Sequence, residues 1–340
     1  MAKTAIVTGA TGQDGSFLVH RLLDEGWRVH AAVRDLDAAR SALPDDPGLS
    51  AVEADLGSPD RLVELIAELE PDEFYNLAGE SSVQRSFENP RVTWETNAHV
   101  MLHLLDAVRC SSPRTRFYQA SSGEMFGSTP GGDVVHDELS ALNPQSPYAA
   151  AKAAAHMLCR SYRESYGVRI ACGILFNHES HRRGASFLSR KVVDHLLRET
   201  NEPLRVGNLK SQRDWGFAPE YVAGMQLVLR QTDVRGVADD AHEYRDYVLG
   251  TGRLHAVWEL IDTAFRLADR ELVWELDGDD PSAWCARDAS SGATAVEVDP
   301  AFVRPSDPRA IAADPSRIRR ELGWEARSGL DVFLRDMLEH

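Results

Sequence analysis

Cysteine, positive charge and long apolar runs are scarce in this chain of 340 residues. Its four cysteines, Cys110, Cys159, Cys172 and Cys285, are scattered and form no CxxC pair. That spacing argues against a disulfide framework or a thiol-rich zinc site and suits a reducing compartment. Lys and Arg number 37 against 53 Asp and Glu, a formal net charge of −16. Such a surface repels nucleic acid and anionic membranes, although a basic pocket for a small anion fits inside an acidic envelope. No apolar run approaches the roughly 20 residues of a membrane span. The first residues carry a single Lys and pass directly into a β-rich run, unlike a secretory leader. Neither an internal repeat nor a coiled-coil pattern is present. These absences predict a cytoplasmic protein that works without nucleic acid or membrane. What remains, 43% hydrophobic and 26% charged residues, is the composition of a soluble globular chain with one large or two unequal domains.

Thr4–Thr8 is a short β-rich run, followed by Gly9-Ala10-Thr11-Gly12-Gln13-Asp14-Gly15 and an amphipathic helix carrying Phe17, Leu18, Leu22 and Leu23. Glycines between a strand and a helix let the backbone approach a pyrophosphate, and the helix N-terminus supplies N–H donors and a positive dipole end. A second strand, 28–33, ends in Arg34-Asp35. An acid at this point pairs with the ribose hydroxyls of NAD, and an arginine with the 2′-phosphate of NADP. Since Arg34 comes first, NADP is the expected cofactor and NAD the alternative. A third strand, 49–54, delivers Asp55 and Leu56 towards the adenine. A fourth, 73–77, ends in Leu77-Ala78-Gly79-Glu80-Ser81, small residues that let a cofactor lie across the sheet edge. Helices are expected at 59–70 and about 91–110. Strands alternating with helices predict an α/β chain with a Rossmann-type, doubly wound parallel sheet and a smaller C-terminal α/β substrate-binding lobe.

The stretch from Phe117 to Lys152 carries the chemistry. A buried strand, Phe117-Tyr118-Gln119-Ala120, runs into Ser121-Ser122-Gly123-Glu124; further on, Ser146 caps a helix with Pro147 at its first position. Tyr148 and Lys152 lie four apart and share one helix face. A free phenol holds its proton to a pKa of about 10, and a neighbouring ammonium lowers that value. Ser122 can share the proton and fix a substrate hydroxyl, while a partly buried Glu124 can make a second proton transfer. A YxxxK spacing alone is as readily an ordinary helix; the glycine loop upstream gives it meaning.

A further strand, 168–176, leads into Asn177-His178-Glu179-Ser180-His181-Arg182-Arg183-Gly184, a loop dense in donors. An HxxH outside a helix is poor ground for a metal, and none is expected. Arg190, Lys191, Arg205 and Arg213 either are solvated or gather on a diphosphate in the smaller lobe. Tyr247–Gly252 reads as a strand and turn, 255–268 as a helix and 277–293 as a loop. Helices at 314–324 and up to Leu338 close the chain.

Together these stretches resemble the extended short-chain dehydrogenase/reductase superfamily and, within it, the GDP-mannose 4,6-dehydratase family. The similarity is carried by TGATGQDGS (8–16), FYNLAGESSV (74–83), FYQASSGEMFG (117–127), SPYAAAK (146–152), GILFNHESHRRGASF (173–187), VGNLKSQRDWG (206–216) and VRP (303–305). The resemblance implies an internal redox cycle on a nucleotide-diphosphate sugar, with GDP-mannose the expected substrate. Tyr148 takes the 4-hydroxyl proton as hydride leaves C4, Glu124 removes the C5 proton, water leaves from C6 and the hydride returns there. It also implies that Ser122 bonds the 4-oxygen and Lys152 holds the nicotinamide ribose. His178 and Arg183 are implied as cofactor contacts, and Ser82, Asn177, Lys191, Gly207, Arg213 and Arg304 as contacts to the sugar nucleotide. On this basis residues 1–175, with parts of 205–255, form the NAD(P)-binding domain, and 176–204 and 256–340 mainly the nucleotide-sugar lobe. The chain departs from the family at Ser122 (usually Thr), Gly123 (Ser), His181 (Pro) and Ser306-Asp-Pro. It is also shorter after Arg34, where the family joins subunits into tetramers. A homodimer is therefore expected, with a homotetramer the alternative. The competing activities are a sugar-nucleotide 4-epimerase or 4-keto reductase, which need no Glu124, and dehydration of a GDP-heptose.

Overall fold

The computed structural model describes residues 2–128, 134–198, 200, 202–278, 280–303 and 309–340. Arg304 and the Ser306–Pro308 run lie outside them. The strands β1 (Thr4–Thr8), β2 (Arg28–Val33), β3 (Leu49–Glu53), β4 (Glu73–Asn76), β5 (Arg116–Ser122), β6 (Ile170–Leu175) and β7 (Tyr247–Leu249) form one sheet in the order β7-β6-β5-β4-β1-β2-β3. Every pairing in it is parallel. Parallel strands need crossover helices on both faces, which explains why the central strands read as unbroken apolar runs. Successive residues serve opposite cores. Val7, Tyr75 and Tyr118 face one, with Leu18, Leu22 and Tyr221; Ile6, Phe74 and Phe117 face the other, with Leu104 and Leu105. Phe74 and Phe117 stack across adjacent strands at 5.0 Å between centroids. The chain runs from β1 outward to β3 and then returns to β4, so the order reverses between β1 and β4. A crevice opens there at the carboxyl ends of the strands, where open α/β sheets take ligands.

A second body stands over that crevice. Strands Leu254–Ala256, Gln212–Phe217, Ala310–Ala313 and Val135–His136 pair in that order, with Asn177–Glu179 added alongside Gln212–Phe217. A second sheet runs Leu272–Glu275, Cys285–Asp288, Thr294–Val298, Leu204–Val206. Helices Leu188–Leu197, Val257–Leu267 and Leu330–Glu339 close over a core of Val192, Leu260, Phe265, Trp284, Val296 and Phe333. No helix among the described residues is long and apolar enough to cross a membrane.

Several elements differ from the sequence reading, among them the loop from Asn177, whose first three residues form a strand. The stretch 277–293 is not all loop, because Cys285–Asp288 pairs antiparallel with strands on both sides and buries Ala286. Tertiary pairing outweighs the local Asp, Gly and Ser content there. The helix expected over 91–110 is interrupted by a π-turn, Glu95–His99, between Pro90–Trp94 and Val100–Ser111. That extra residue turns Asn97 inward, where its Nδ2 donates to the Glu80 carbonyl at 2.9 Å. The helix expected from 255 begins at Val257, since Leu254–Ala256 is held as a strand by Gln212–Asp214.

Candidate active site

The crevice is stitched at the ends of β1 and β4. Thr8 Oγ1 accepts from the N–H groups of Leu77 and Ala78 at 3.1 Å each and donates to Asn76 Oδ1 at 2.9 Å. Gly9 then turns with φ +68°, and a Cβ there would lie 2.9 Å from the Ala78 backbone; at Gly15 a Cβ would lie 2.2 Å from the Gly9 oxygen. Only glycine closes this turn. Thr11 and Gly12 lie exposed in it, and the helix Gln13–Asp24 starts at Gly12 with no side-chain cap. Its first-turn N–H groups therefore remain donors at the positive end of the dipole, which fits a pyrophosphate. Further along the strand ends, Arg34 stands exposed after β2. Asp35 is committed elsewhere: its Oδ1 accepts from the N–H groups of Asp37 at 2.8 Å and Ala38 at 3.1 Å, capping the next helix. Asp55 and Leu56 follow β3, and Gly79 follows β4 with φ +143°.

β5 and the helix Pro147–Tyr166 bring the proton-handling groups together. Ser146 Oγ accepts from the Ala149 N–H at 3.1 Å, and Pro147 sits at the first helical position as the sequence predicts. Tyr148, Lys152 and Ser122 are buried and Glu124 is half-buried. Ser122 Oγ accepts from the Glu124 N–H at 3.2 Å, so one short turn presents both side chains. All four line a cavity of about 320 Å³. Lys152 Nζ donates to the Ala120 carbonyl at 2.9 Å and lies 5.9 Å from the centre of the Tyr148 ring. Burial pushes the Tyr148 phenol up to about 12, against a pull downward from the Ser122 hydroxyl and with a further push from Glu124. Burial likewise brings the Lys152 ammonium down to about 8, opposed by Asp14. The sequence reading had Lys152 lowering Tyr148. In the fold burial is the largest influence on the phenol, and the Lys152 ammonium donates to the Ala120 carbonyl.

The same cavity gathers the donor-rich loop. Strand Asn177–Glu179 places His178 with Nδ1 at 2.7 Å from the Phe176 carbonyl and Nε2 at 2.9 Å from Asp14 Oδ2. Both ring nitrogens face acceptors, which calls for imidazolium. Burial alone would lower the His178 pKa, but the Asp14 carboxylate outweighs it and the net shift is upward. In turn His178 outweighs burial and holds Asp14 below its ordinary value. Arg183 pairs with Glu179 at 2.9 Å and covers the Phe187 ring at 3.6 Å. Lys191 Nζ lies 4.9 Å over the Phe302 ring.

Of the residues singled out in the sequence, Asp14, Leu77, Ser81, Ser82, Ser122, Glu124, Tyr148 and Lys152 line this cavity. So do Asn177, His178, Arg183, Lys191, Gly207 and Arg213. Ser82 also caps its own helix through the Arg85 N–H at 3.2 Å. A Cβ at Gly207 would meet the Phe302 carbonyl at 2.7 Å, so glycine is required there too. Gly9, Thr11, Gly12, Gln13, Gly15, Arg34, Asp55, Leu56, Ala78 and Gly79 are set instead along the strand ends and the glycine turn. Arg304 lies outside the described residues. Sequence reasoning missed Phe187 and Phe302, on which the two cations rest, and the buried Glu179, which holds Arg183 and takes the Ser189 hydroxyl at 2.5 Å. An aromatic immediately after an Arg-rich loop was the one available signal.

The family model described as GDP-mannose 4,6 dehydratase matches residues 6–337. A Caenorhabditis elegans protein named GDP-mannose 4,6 dehydratase 2 is 35% identical over 99% of this chain and 88% of its own length. A Vibrio cholerae GDP-mannose 4,6-dehydratase is 36% identical over 99% of this chain and 92% of its own. The solved structure of a Bacillus anthracis dTDP-glucose 4,6-dehydratase in complex with NAD has a TM-score of 0.78, covering 99% of this chain and 96% of that one. Its 20% identity bears on the fold alone. With a model match over nearly the full length and relatives above one-third identity, the chain belongs to the GDP-mannose 4,6-dehydratase family.

Proposed function

We propose that the chain is a hydro-lyase that converts GDP-mannose to its 4-keto-6-deoxy product with NADP(H) as an internally recycled cofactor. The observation that carries this is Glu124 in one cavity with Ser122 and Tyr148. A 4-epimerase or 4-keto reductase needs the phenol and lysine but no additional carboxylate to remove a C5 proton. When bound, the cofactor would supply the acceptor for the C4 hydride and the donor for its return to C6. The chain's own groups do the rest. Ser122 holds the sugar 4-oxygen and Tyr148 takes its proton. Glu124 takes the C5 proton made acidic by the 4-ketone and gives it to the departing C6 hydroxyl, which leaves as water; C5 regains a proton, matching the one Tyr148 took from the 4-hydroxyl, as hydride reaches C6. The uncapped turn Gly9–Gly15 fits the pyrophosphate. Arg34 fits a 2′-phosphate, and Asp35 is engaged as a helix cap, which favours NADP over NAD. The cations Lys191 and Arg213 face the diphosphate of the sugar nucleotide. In this reading residues 1–175 with parts of 205–255 bind the cofactor, and 176–204 with 256–340 mainly bind the substrate.

A homodimer in the cytoplasm completes the proposal. Exposed Val92, Leu102 and Met157 on adjoining helices support the dimer, and four unpaired cysteines suit a reducing compartment. Light scattering coupled to gel filtration tests the dimer. The activity is tested by incubating purified protein with GDP-mannose and following mass. Loss of one water without net consumption of NADP(H) is expected; an unchanged mass removes this substrate.

A further inference from the structure

Two side chains of the glycine turn are gripped by the segment that follows β6. Gln13 Nε2 donates to the His178 carbonyl at 3.0 Å, and its Oε1 accepts from Ser180 Oγ at 3.0 Å, so both ends of one amide are used. Asp14 accepts from His178 Nε2 at 2.9 Å, and the Gln13 amide also donates to Asp14 Oδ1 at 3.1 Å. The imidazole is locked from behind by the Phe176 carbonyl and by the Tyr221 ring, stacked at 4.5 Å and 18°. Each jaw belongs to a different sheet. Gln13 and Asp14 open the helix after β1, whereas Asn177–Glu179 is hydrogen-bonded to Gln212–Phe217 of the second body. Asp14 and His178 both line the cavity, so the junction is part of its wall.

We infer that these bonds form a clasp whose role is to retain the cofactor between the two hydride steps, an inference that rests on the function proposed above. The chemistry supplies the need. A cofactor that ends each turnover as it began never has to leave, and one that leaves after the first step strands a keto intermediate and its proton. A charge-assisted bond and two bonds on one amide, all partly buried, slow opening in proportion to their strength. Gln13 and Ser180 are positioning residues here, acting through the wall they close.

The test measures NADP(H) carried through gel filtration by wild type and by Ser180→Ala, Gln13→Ala and Asp14→Asn, together with the exchange rate of bound for labelled NADP+. Wild type is expected to keep its cofactor, and each variant to exchange about tenfold faster, the scale of one lost hydrogen bond. Variant activity should fall on dilution and return when NADP+ is added, which a general packing defect would not do. Thermal melts identify any variant that fails to fold, and Ser180→Ala, the smallest change, then decides. Variants that retain cofactor as well as wild type overturn the clasp and leave the function intact. A wild type that takes up no NADP+ overturns the cofactor reading and the clasp with it.

Discussion

Replacing Lys152 by methionine should make the protein more stable while abolishing its activity. The ammonium is buried, and burial brings it from 10.5 to about 8. At about 1.36 kcal/mol per pH unit, that difference means the fold disfavours the charged amine by about 3 kcal/mol at neutral pH. Methionine keeps most of the length and none of the charge. The Ala120 carbonyl is not orphaned, because Gln119 Nε2 still donates to it at 3.0 Å. With an unfolding entropy of about 2.1 cal/mol/K per residue over 340 residues, the gain corresponds to a Tm rise of about 4 °C. The pH dependence fixes the cause. A base with a depressed pKa leaves the unfolded chain holding more protons between about 8 and 10.5, so wild type gains stability as pH rises through that window. The advantage of Lys152→Met should be full below pH 8 and nearly gone by 10.5. Differential scanning fluorimetry of cofactor-stripped proteins at pH 7 and pH 10 reads both points. A variant that melts below wild type at pH 7, or a gap that does not shrink at pH 10, refutes burial as the dominant effect on Lys152.

Glu124→Gln should lower dehydration by about 10² to 10⁴, the range of a lost general base. Exchange of hydride at C4, followed with deuterated GDP-mannose, should stay measurable. Near-normal dehydration would remove Glu124 from its role. Arg34→Ala should weaken NADP+ binding by about tenfold or more while leaving NAD+ nearly unchanged. Asp35→Ala should instead cost about 1 kcal/mol of stability through the lost helix cap, with cofactor preference intact; calorimetry with both dinucleotides separates the two. Asp246 is held below its ordinary value despite burial by two bonds from Arg163, at 2.7 and 2.8 Å. A depressed carboxylate contributes stability that is full above the unfolded pKa of about 3.9 and is lost as pH falls through the folded value. Asp246→Ala should destabilise by about 3–5 kcal/mol at pH 7 in urea titrations, with the deficit narrowing in acid.

The parts legible in the sequence are those whose signal is local. The turn Gly9–Gly15 is constrained by backbone contacts that exclude a Cβ. The Tyr148–Lys152 pair follows from helical spacing, and Ser146-Pro147 announces its own helix. Short β-rich runs located six of the seven strands of the large sheet within about two residues, and the YVLGTG run marked β7. The signals that failed depend on what the chain meets. Cys285–Asp288 is a strand because strands flank it on both sides, and the π-turn at Glu95–His99 exists to bring Asn97 onto Glu80. The direction of Lys152 was invisible for the same reason. Spacing places the ammonium on the right helix face, but only the fold says that the Ala120 carbonyl, 32 positions earlier, waits beside it.

That last point changes how the site is understood. In the sequence, Tyr148 and Lys152 read as a base and the cation that activates it. In the fold, burial moves both towards neutrality, the phenol to about 12 and the amine to about 8. Glu124 and Asp14 are two nearby negative groups that push the Tyr148 proton on more firmly, and Arg183, which pulls it off, is already paired with Glu179. A phenol near 12 is a poor base at neutral pH, so the protein's own charges do not complete its activation. The cavity wall carries Lys152, His178, Arg183 and Lys191 beside Asp14 and Glu124, so charge of both signs surrounds the phenol and burial is the largest influence on it. The same burial that raises the phenol gives the site the means to shield a keto intermediate from water.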